Sequence, residues 1–213
     1  KTGVYQESSS TTAGKLSAGS ISLIGNEDSM IGVYTNGSSA AVDTEIAGLD
    51  MQNAKNKSTG IYIGSGSFKN TGSINIKALD SSFGIYIKGV TGHNTVDFGT
   101  GSRTVNLGND SIGLYLKNAQ VSNMITDITI GDTTGAPGTQ AGVGIFLEDT
   151  AVTGAVNTNI ISGNKTVAAY FGANTGNITY NGNVQVGENS LGIYKNGGTL
   201  TRDPSKTTIF SGS

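Results

Sequence analysis

The side chains in this sequence that are best suited to chemistry are acids and amides placed before a recurring glycine. Asp28, Asp80 and Glu188 each lie four residues before one copy of that glycine, and Asn109 has the matching place in another copy. A column of carboxylate and amide oxygens has the ligand type that a hard cation takes. The same side chains also cap turns by accepting backbone N–H groups. Turn capping is the interpretation that we favour.

Catalysis of the kind found in polysaccharide lyases and hydrolases needs two or three carboxylates that converge on a groove. The acids here are instead scattered, and the one histidine, His93, lies in a Gly/Asn turn that is typical of a solvated loop residue. The sequence has no nucleophile elbow, phosphate-binding loop or metal-ligand spacing. We therefore predict no enzymatic activity, no cofactor and no metal site, and keep a carbohydrate-active enzyme as the alternative.

Two other features are candidates for binding. Aromatic residues recur two positions after the repeat glycine, and the candidate receptor-binding surface consists of Tyr34, Tyr62, Tyr86, Tyr115, Phe146 and Tyr194. Exposed aromatics bind sugars and protein partners, but a stacked column of rings would also shield a sheet and fix its register. The second candidate is the longest insertion, 131–142, with the candidate binding residues Asp132, Thr134, Pro137 and Gln140. Such loops often carry function, and solenoids also tolerate them freely.

Composition restricts the class of protein. The 213 residues include 33 glycines, two prolines and no cysteine, and only 13% are charged. Together with abundant Asn, Ser, Thr, Ile and Val, this indicates sheets and turns. A net charge of −2 without a basic patch argues against nucleic-acid binding. No apolar run approaches the roughly 20 residues of a membrane span, so we expect no membrane contact by this segment.

The elements that must position these residues are copies of one strand. The phrase SFGIYIKG at 82–89 recurs in seven more places, and its glycine or alanine lies at Gly3, Gly32, Gly60, Gly84, Gly113, Gly144, Ala168 and Gly192. Successive copies are 24 to 31 residues apart and have an apolar period of two. A second alternating segment precedes them, as at 74–76 and 105–107, and a third fits at 95–98. Three short strands and three turns per repeat predict one triangular coil of a parallel β-helix, with about eight such coils.

The alternation also predicts which side chains lie inside. Counted from the repeat glycine, positions −1, +1 and +3 are mostly apolar and are predicted to face the core. Serine at −2, glycine at 0 and the aromatic at +2 are then predicted to face outward. The rings should form a ladder with a spacing of about 4.8 Å, in which each glycine leaves room for a ring to cover the backbone. The full column is Tyr5, Tyr34, Tyr62, Tyr86, Tyr115, Phe146, Tyr170 and Tyr194.

The repeat phrases also resemble a known family. S-x-G-I-Y after I-x-I-G-x-x-S, interleaved with N-x-G-x-I-x-I at 70–76, is similar to the passenger domains of large fusobacterial autotransporter adhesins. The resemblance covers essentially the whole chain and rests on repeat style and composition. It implies a right-handed helix, an extracellular location at the cell surface, and anchoring by a C-terminal outer-membrane barrel outside this chain. It also implies attachment to host cells or other bacteria through protein or glycan receptors, and it assigns no site residue.

We therefore expect residues 1–213 to form a single β-helical segment, cut at both ends from a longer array, in a surface adhesin. The segment would either bind a receptor or serve only as a rigid shaft. A trimeric autotransporter head or stalk is a further alternative, although that architecture uses shorter coils and heptad stalks. We expect a monomer, with end-to-end association through the open strand edges as the competing state.

Overall fold

The computed structural model is a right-handed parallel β-helix of about 7 turns. It describes residues 1–9, 12–37, 41–89, 94–135 and 142–211. Strands pair in parallel with their counterparts one coil away, as the recurrence of one phrase requires. The fold class predicted from the repeat is therefore confirmed.

One face of the coil is an eight-stranded sheet in which each strand carries one copy of the phrase. The strands of this repeat sheet are β1 (Thr2–Ser8), β3 (Ile31–Gly37), β5 (Thr59–Ile63), β8 (Phe83–Lys88), β11 (Ile112–Lys117), β14 (Val143–Glu148), β17 (Val167–Phe171) and β20 (Leu191–Lys195). Neighbouring strands pair in the same register throughout, so that Tyr62 lies beside Tyr86 and Tyr86 beside Tyr115.

The other two faces form one 12-stranded sheet because long strands near the start of the chain span both of them. These long strands are β2 (Gly14–Ile24) and β4 (Val42–Ala54). The first half of β4 pairs with β6 (Phe68–Asn70), and the second half pairs with β7 (Ile74–Ala78). One face then continues through β9 (Asn94–Asp97), β12 (Ala119–Ser122) and β15 (Ala151–Val152). The other continues through β10 (Arg103–Asn106), β13 (Asp127–Ile130), β16 (Asn159–Ser162), β19 (Val184–Val186) and β22 (Thr208–Phe210).

A small sheet and one helical turn complete the described chain. The sheet pairs β18 (Ile178–Tyr180) with β21 (Leu200–Arg202), and a 3-10 turn at Ala173–Thr175 precedes it. Within the described ranges, no helix is long and apolar enough to cross a membrane.

The core is a continuous stack of aliphatic side chains along the helix axis. Positions +1 and +3 of the repeat strands are buried as predicted, for example Ile85 and Ile87 with no exposed surface. The strands of the other faces supply the opposite wall, including Ile76, Val105 and Ile128. Burial of each such side chain contributes about 1.5–3 kcal/mol, so stacking gives the coils the apolar contacts that one coil alone lacks.

The predicted orientation of the repeat glycine was wrong, because the alternation breaks there. A Cβ built on Gly84 would lie 2.4 Å from Val105 Cγ1, and one on Gly113 would lie 2.6 Å from Ile128 Cγ2. The glycine therefore faces the core, like the residue after it. The pairing of β8 with β11 joins the residues on either side of the glycine and omits the glycine itself. The missing side chain leaves space for Val105 and Ile128 of the opposite face to pack against the glycine backbone. It does not make room for a ring on the outer surface.

The predicted orientations of the two preceding positions were wrong for the same reason. Serine at −2 is buried: Ser58, Ser82 and Ser111 have no exposed surface. Each hydroxyl oxygen accepts the backbone N–H at the same position one coil earlier, at 3.1 Å: Ser58 from Met30, Ser82 from Ser58 and Ser111 from Ser82. Position −1 lies outside, half-buried, beside the aromatic column. Phe83, for example, packs edge-on against Tyr86 with ring centroids 5.6 Å apart.

We predict that Gly84→Ala destabilises the protein by about 1–3 kcal/mol through overpacking. The new methyl would meet Val105 and also the Gly113 carbonyl oxygen, both at 2.4 Å. The one natural methyl at this position, Ala168, is followed by Ala169, where the other copies have Val, Ile or Leu. Urea unfolding measures the effect.

Gly192→Ala is the matched control for this substitution. The nearest atom to its added Cβ, Thr208 Cγ2, is 3.3 Å away, so we expect little change in stability. Equal loss of stability in the two variants would contradict the inward orientation of the glycine column.

Candidate functional site

The aromatic residues at position +2 form the predicted ladder along the outside of the repeat sheet. Seven successive contacts join the eight rings, with centroids 4.6–5.4 Å apart and ring planes within 1–13° of parallel. The candidate residues Tyr34, Tyr62, Tyr86, Tyr115, Phe146 and Tyr194 are all members of it. The ladder arises because in-register strands place identical positions above one another.

Stacking determines which part of each ring a partner can reach. Both faces of an interior ring such as Tyr86 are covered by its neighbours, so that its edge and hydroxyl face the solvent. Only the end rings have a face without a neighbouring ring, and Tyr5 and Tyr194 are 59% and 46% exposed. A sugar packs against the face of an aromatic ring, where the negative part of the quadrupole lies. The interior of the ladder is therefore poorly suited to stacking with glycans.

A second outward column lies beside the rings, although the apolar alternation predicts that its members face the core. Its members are Ile31, Thr59, Phe83, Ile112, Val143, Val167 and Leu191. They are half-buried, except Leu191, which is 56% exposed. We call the ring column and this column together the aromatic–aliphatic strip. The sequence does contain a signal for this orientation. Seven of the eight copies have glycine at position 0. A crowded interior requires the absence of a side chain, whereas an open surface does not, so position 0 faces inward and position −1 outward.

Hydroxyl groups and one ion pair provide the polar contacts along the strip. Burial raises the pKa of Tyr62 and Tyr115, and the neighbouring tyrosines raise it further. These phenols are therefore neutral at physiological pH and can donate hydrogen bonds. Beside the rings, the Lys117 ammonium pairs with the Glu148 carboxylate at 3.0 Å.

A polar column runs along the corner that leads into the repeat sheet. We call it the Asp/Asn ladder; its members are Asp28, Asn56, Asp80, Asn109, Asp132, Asn164 and Glu188. From the first to the sixth member, the side-chain oxygen of each accepts the backbone N–H of the next at 2.7–3.2 Å. The capping interpretation is confirmed for Asp28, Asp80 and Asn109, with the refinement that each side chain caps the turn of the following coil. Glu188 joins the column through its backbone N–H, and the capping role of its side chain stays a prediction. The described ranges contain no cluster of three or more His, Cys, Asp or Glu residues placed to hold a metal.

The candidate binding loop is anchored by two of its four named residues. Asp132 is a rung of the Asp/Asn ladder. Thr134 donates its N–H and its hydroxyl to the Asp110 carboxylate, at 2.8 and 2.6 Å. Asp110 is itself only 4% exposed, so these contacts fix the base of the loop. Pro137 and Gln140, like His93, lie outside the described residues.

Tyr180 is a polar aromatic residue that the repeat pattern did not place. Its side chain is fully buried, and its hydroxyl donates a hydrogen bond to the Thr158 carbonyl oxygen at 2.7 Å. The Arg202 guanidinium lies 5.1 Å from its ring centroid. Burial strongly raises the pKa of Tyr180, because a phenolate there would lose its hydration.

Comparison of the chain with known protein families, with curated proteins and with solved structures gave no match. The fold and its surface define the class, a β-solenoid with an aromatic–aliphatic strip on one face and an Asp/Asn ladder at one corner.

We expect Asn109→Asp to destabilise the protein at neutral pH and low salt. The new carboxylate would keep the acceptor for the Asp132 N–H but would lie between Asp80 and Asp132. Like charges on adjacent rungs repel, and salt screens the repulsion. Thermal unfolding at low and high ionic strength measures it. Asn109→Ala separates the loss of a hydrogen bond from the repulsion between carboxylates, because it removes the bond without adding a charge. Loss of one hydrogen bond costs about 1 kcal/mol at either ionic strength. A salt-independent loss in the aspartate variant would show that charge spacing does not matter.

Tyr180 should make stability depend on alkaline pH. Its pKa is raised in the folded state, so its contribution is complete below the unfolded value of about 10 and is lost as the pH rises above it. We expect Tyr180→Phe to lose about 1 kcal/mol at pH 7, because the Thr158 carbonyl loses its donor, but to decline less than the wild type by pH 11. Tyr194→Phe, on an exposed ring, is the control and should decline like the wild type. The prediction fails if both variants keep the wild-type profile in urea titrations at the two pH values.

Proposed function

We propose that this chain is a segment of an elongated bacterial surface adhesin whose receptor-binding face is the aromatic–aliphatic strip. The observation that supports the proposal is the continuity of the strip. Two adjacent outward columns follow the repeat sheet, an aromatic one over all eight strands and a mostly aliphatic one over seven of them. Eight rungs at about 4.8 Å give it a length of roughly 34 Å. Contiguous apolar surface of this kind is typical of an interaction site.

The chemistry of the strip favours a protein receptor on a host cell or on another bacterium. The ring faces are covered, so a partner meets ring edges, aliphatic side chains such as Ile112 and Val143, and tyrosine hydroxyls. Protein interfaces are enriched in this combination of apolar bulk and a polar tip. A glycan receptor is the alternative, and it would have to bind through the hydroxyl groups or at the end rings.

The repeat phrases support placing the segment in the passenger of an autotransporter, outside the cell. In that setting the β-helix would be a stiff rod that holds the strip away from the outer membrane, and repetition along the rod would raise avidity. The absence of cysteine is compatible with an extracellular protein that does without disulfides. The core within the described residues is closed by strands of one chain, which favours this architecture over a trimeric head or stalk.

A rigid shaft without a receptor site is the second candidate, and the Asp/Asn ladder supports it. That ladder, the buried serines and the glycine column all stabilise the stacking of coils, which is the role a shaft requires. Three acids in the ladder, Asp28, Asp80 and Asp132, already accept backbone N–H groups, which gives no support to a carbohydrate-active enzyme.

Binding of the labelled chain to host cells and partner bacteria tests the proposal. We expect the double variant Phe83→Ser, Ile112→Ser to bind at least tenfold more weakly than the wild type, because it removes outward apolar groups while leaving the ring column intact. A tenfold loss corresponds to about 1.4 kcal/mol. Circular dichroism and thermal unfolding check that the variant is folded.

The matched control is Leu79→Ser, Ile161→Ser, which removes two side chains, each 51% exposed, away from the repeat sheet. Equal loss in both double variants would exclude the strip as the binding face. No binding by the wild type would leave the shaft as the function. Treating the cells with protease or with glycosidases before the assay distinguishes a protein receptor from a glycan receptor.

A further inference from the structure

A recessed notch lies at the corner where the face of β9 and β12 meets the face of β10 and β13, on the side of the coil away from the repeat sheet. It has a volume of about 210 Å³. Its polar side chains come from three successive coils: Arg103 from the first, Asn123 from the second, and Thr153 and Asn157 from the third. The buried side chain of Met124 is also part of its lining.

The notch arises because a short corner lies between two longer ones. Strand pairing aligns three valines on one face and three polar residues on the other, which are Val96, Val121 and Val152, and Thr104, Asp127 and Asn159. The corners between these aligned positions are 97–103, 122–126 and 153–158, so the middle corner is the shortest. The outer two corners project beyond it and enclose the space over Met124.

Arg103 brings to the notch a cation whose hydrogen bonding is incomplete. Its Nη1 donates to the Gly99 carbonyl oxygen, whereas its Nε is buried and has no hydrogen-bond partner within the ranges that the structure describes. None of the carboxylates in those ranges forms an ion pair with it. A buried donor without a partner is a place where a bound group can complete the hydrogen bonding.

The charge of Arg103 is available to a ligand. Burial lowers the pKa of its guanidinium and the charge of Asp97 raises it, so the group is partly dehydrated and stays protonated at physiological pH. The Asp97 carboxylate is itself engaged elsewhere, because its Oδ1 accepts the Gly99 N–H at 2.9 Å and the Asn123 amide at 2.8 Å.

The other polar groups of the notch are exposed and supply both donors and an acceptor. The Thr153 hydroxyl and the Asn157 amide form no hydrogen bond within the described part of the chain. The Asn123 side chain donates to Asp97, which leaves its carbonyl oxygen as an acceptor. One cation surrounded by neutral donors and an acceptor suits a ligand that combines a negative charge with hydroxyl groups.

We propose that this notch binds a carboxylated sugar, such as a uronic acid residue of a glycan. The carboxylate accepts hydrogen bonds from the Arg103 guanidinium, whose planar fork matches it. A turn of the guanidinium toward the ligand exchanges the Gly99 carbonyl for the carboxylate and gives Nε a partner. The ring hydroxyls bond to Thr153, Asn123 and Asn157.

Size and chemistry favour a sugar over an acidic peptide. The notch is smaller than the roughly 300–1,000 Å³ of a site for a drug-sized ligand, which agrees with one sugar ring. An aspartate or glutamate side chain would satisfy Arg103 but would cover the neutral groups without bonding to them, at a cost in free energy. The site lies on the opposite side from the aromatic–aliphatic strip, so a rod could hold a glycan and a protein receptor at once.

Titration of the unmodified chain with sodium glucuronate, followed by ¹H–¹⁵N NMR, tests the proposal. Glucose, which has a similar ring without the carboxylate, is the matched ligand control, and N-acetylglutamate presents a carboxylate without the ring. We expect glucuronate to bind at least tenfold more tightly than either control, with shifts concentrated at residues 103, 123 and 153–157. Absence of shifts in these residues, or equal binding of glucose, overturns the proposal. Equal binding of N-acetylglutamate overturns the assignment to a sugar.

Variants assign the binding to the notch. We expect Arg103→Gln to bind glucuronate at least tenfold more weakly, and Asn157→Ala, at an exposed position, to bind severalfold more weakly in a chain that circular dichroism shows to be folded. Lys88→Gln is the control, because it removes the same charge from an exposed position on the repeat sheet and should bind like the wild type. Equal weakening by Lys88→Gln, or wild-type binding by Asn157→Ala, overturns the proposal. These results are independent of the cell-binding assay, whose variants lie on the strip.

Discussion

The structure depends on one constraint: each strand bonds its backbone to the same strand one coil away, in the same register. Ile61 lies beside Ile85 and Tyr62 beside Tyr86, and this relation continues through the repeat sheet. Every position in the repeat therefore becomes a column with a spacing of about 4.8 Å. A residue type is suitable at a position only if it packs or bonds well against itself at that distance. Flat rings, aliphatic chains, serine hydroxyls and Asp or Asn side chains all do so, and each has its own column here.

Charged side chains are the least suitable for repetition at the same position in successive coils. Identical carboxylates on successive rungs would repel at one strand spacing, where screening by salt is incomplete. The Asp/Asn ladder avoids this through alternation, because Asp28, Asn56, Asp80, Asn109, Asp132 and Asn164 take turns in supplying the acceptor oxygen. Adjacent acids are thus about 9.6 Å apart, two strand spacings. Beside the ring column, Lys117 has Lys88 on one side and forms an ion pair with Glu148 on the other, so that a carboxylate ends the run of like charges. Hydrogen bonding requires an oxygen at each rung, and electrostatics limits how many of these oxygens are charged.

What the sequence could predict follows from this constraint. The strands, the ring ladder and the capping role of Asp28, Asp80 and Asn109 were accessible because recurrence alone specifies columns. The orientation of glycine, serine and position −1 was not, because simple alternation assumes a regular strand and the break falls on a residue without a side chain. Asp132 was not recognised as a rung, since the insertion separates it from Gly144. The contact of Thr134 with Asp110 joins different coils and carries no local signal. The receptor role of the rings and of the loop 131–142 stays a prediction.

Repetition also limits what a binding face can achieve. A partner that contacts only the regular part of the aromatic–aliphatic strip meets nearly the same surface after a shift of one coil, so many positions compete and none is unique. A partner that selects one position must contact a place where the columns change. Three changes occur together around β14: Phe146 lacks the hydroxyl of the neighbouring tyrosines, Glu148 stands where Lys88 and Lys117 precede it, and the insertion 131–142 enters immediately before the strand. The regular coils would then supply stiffness and apolar contact, and the coil of β14 would determine where along the rod a specific receptor binds.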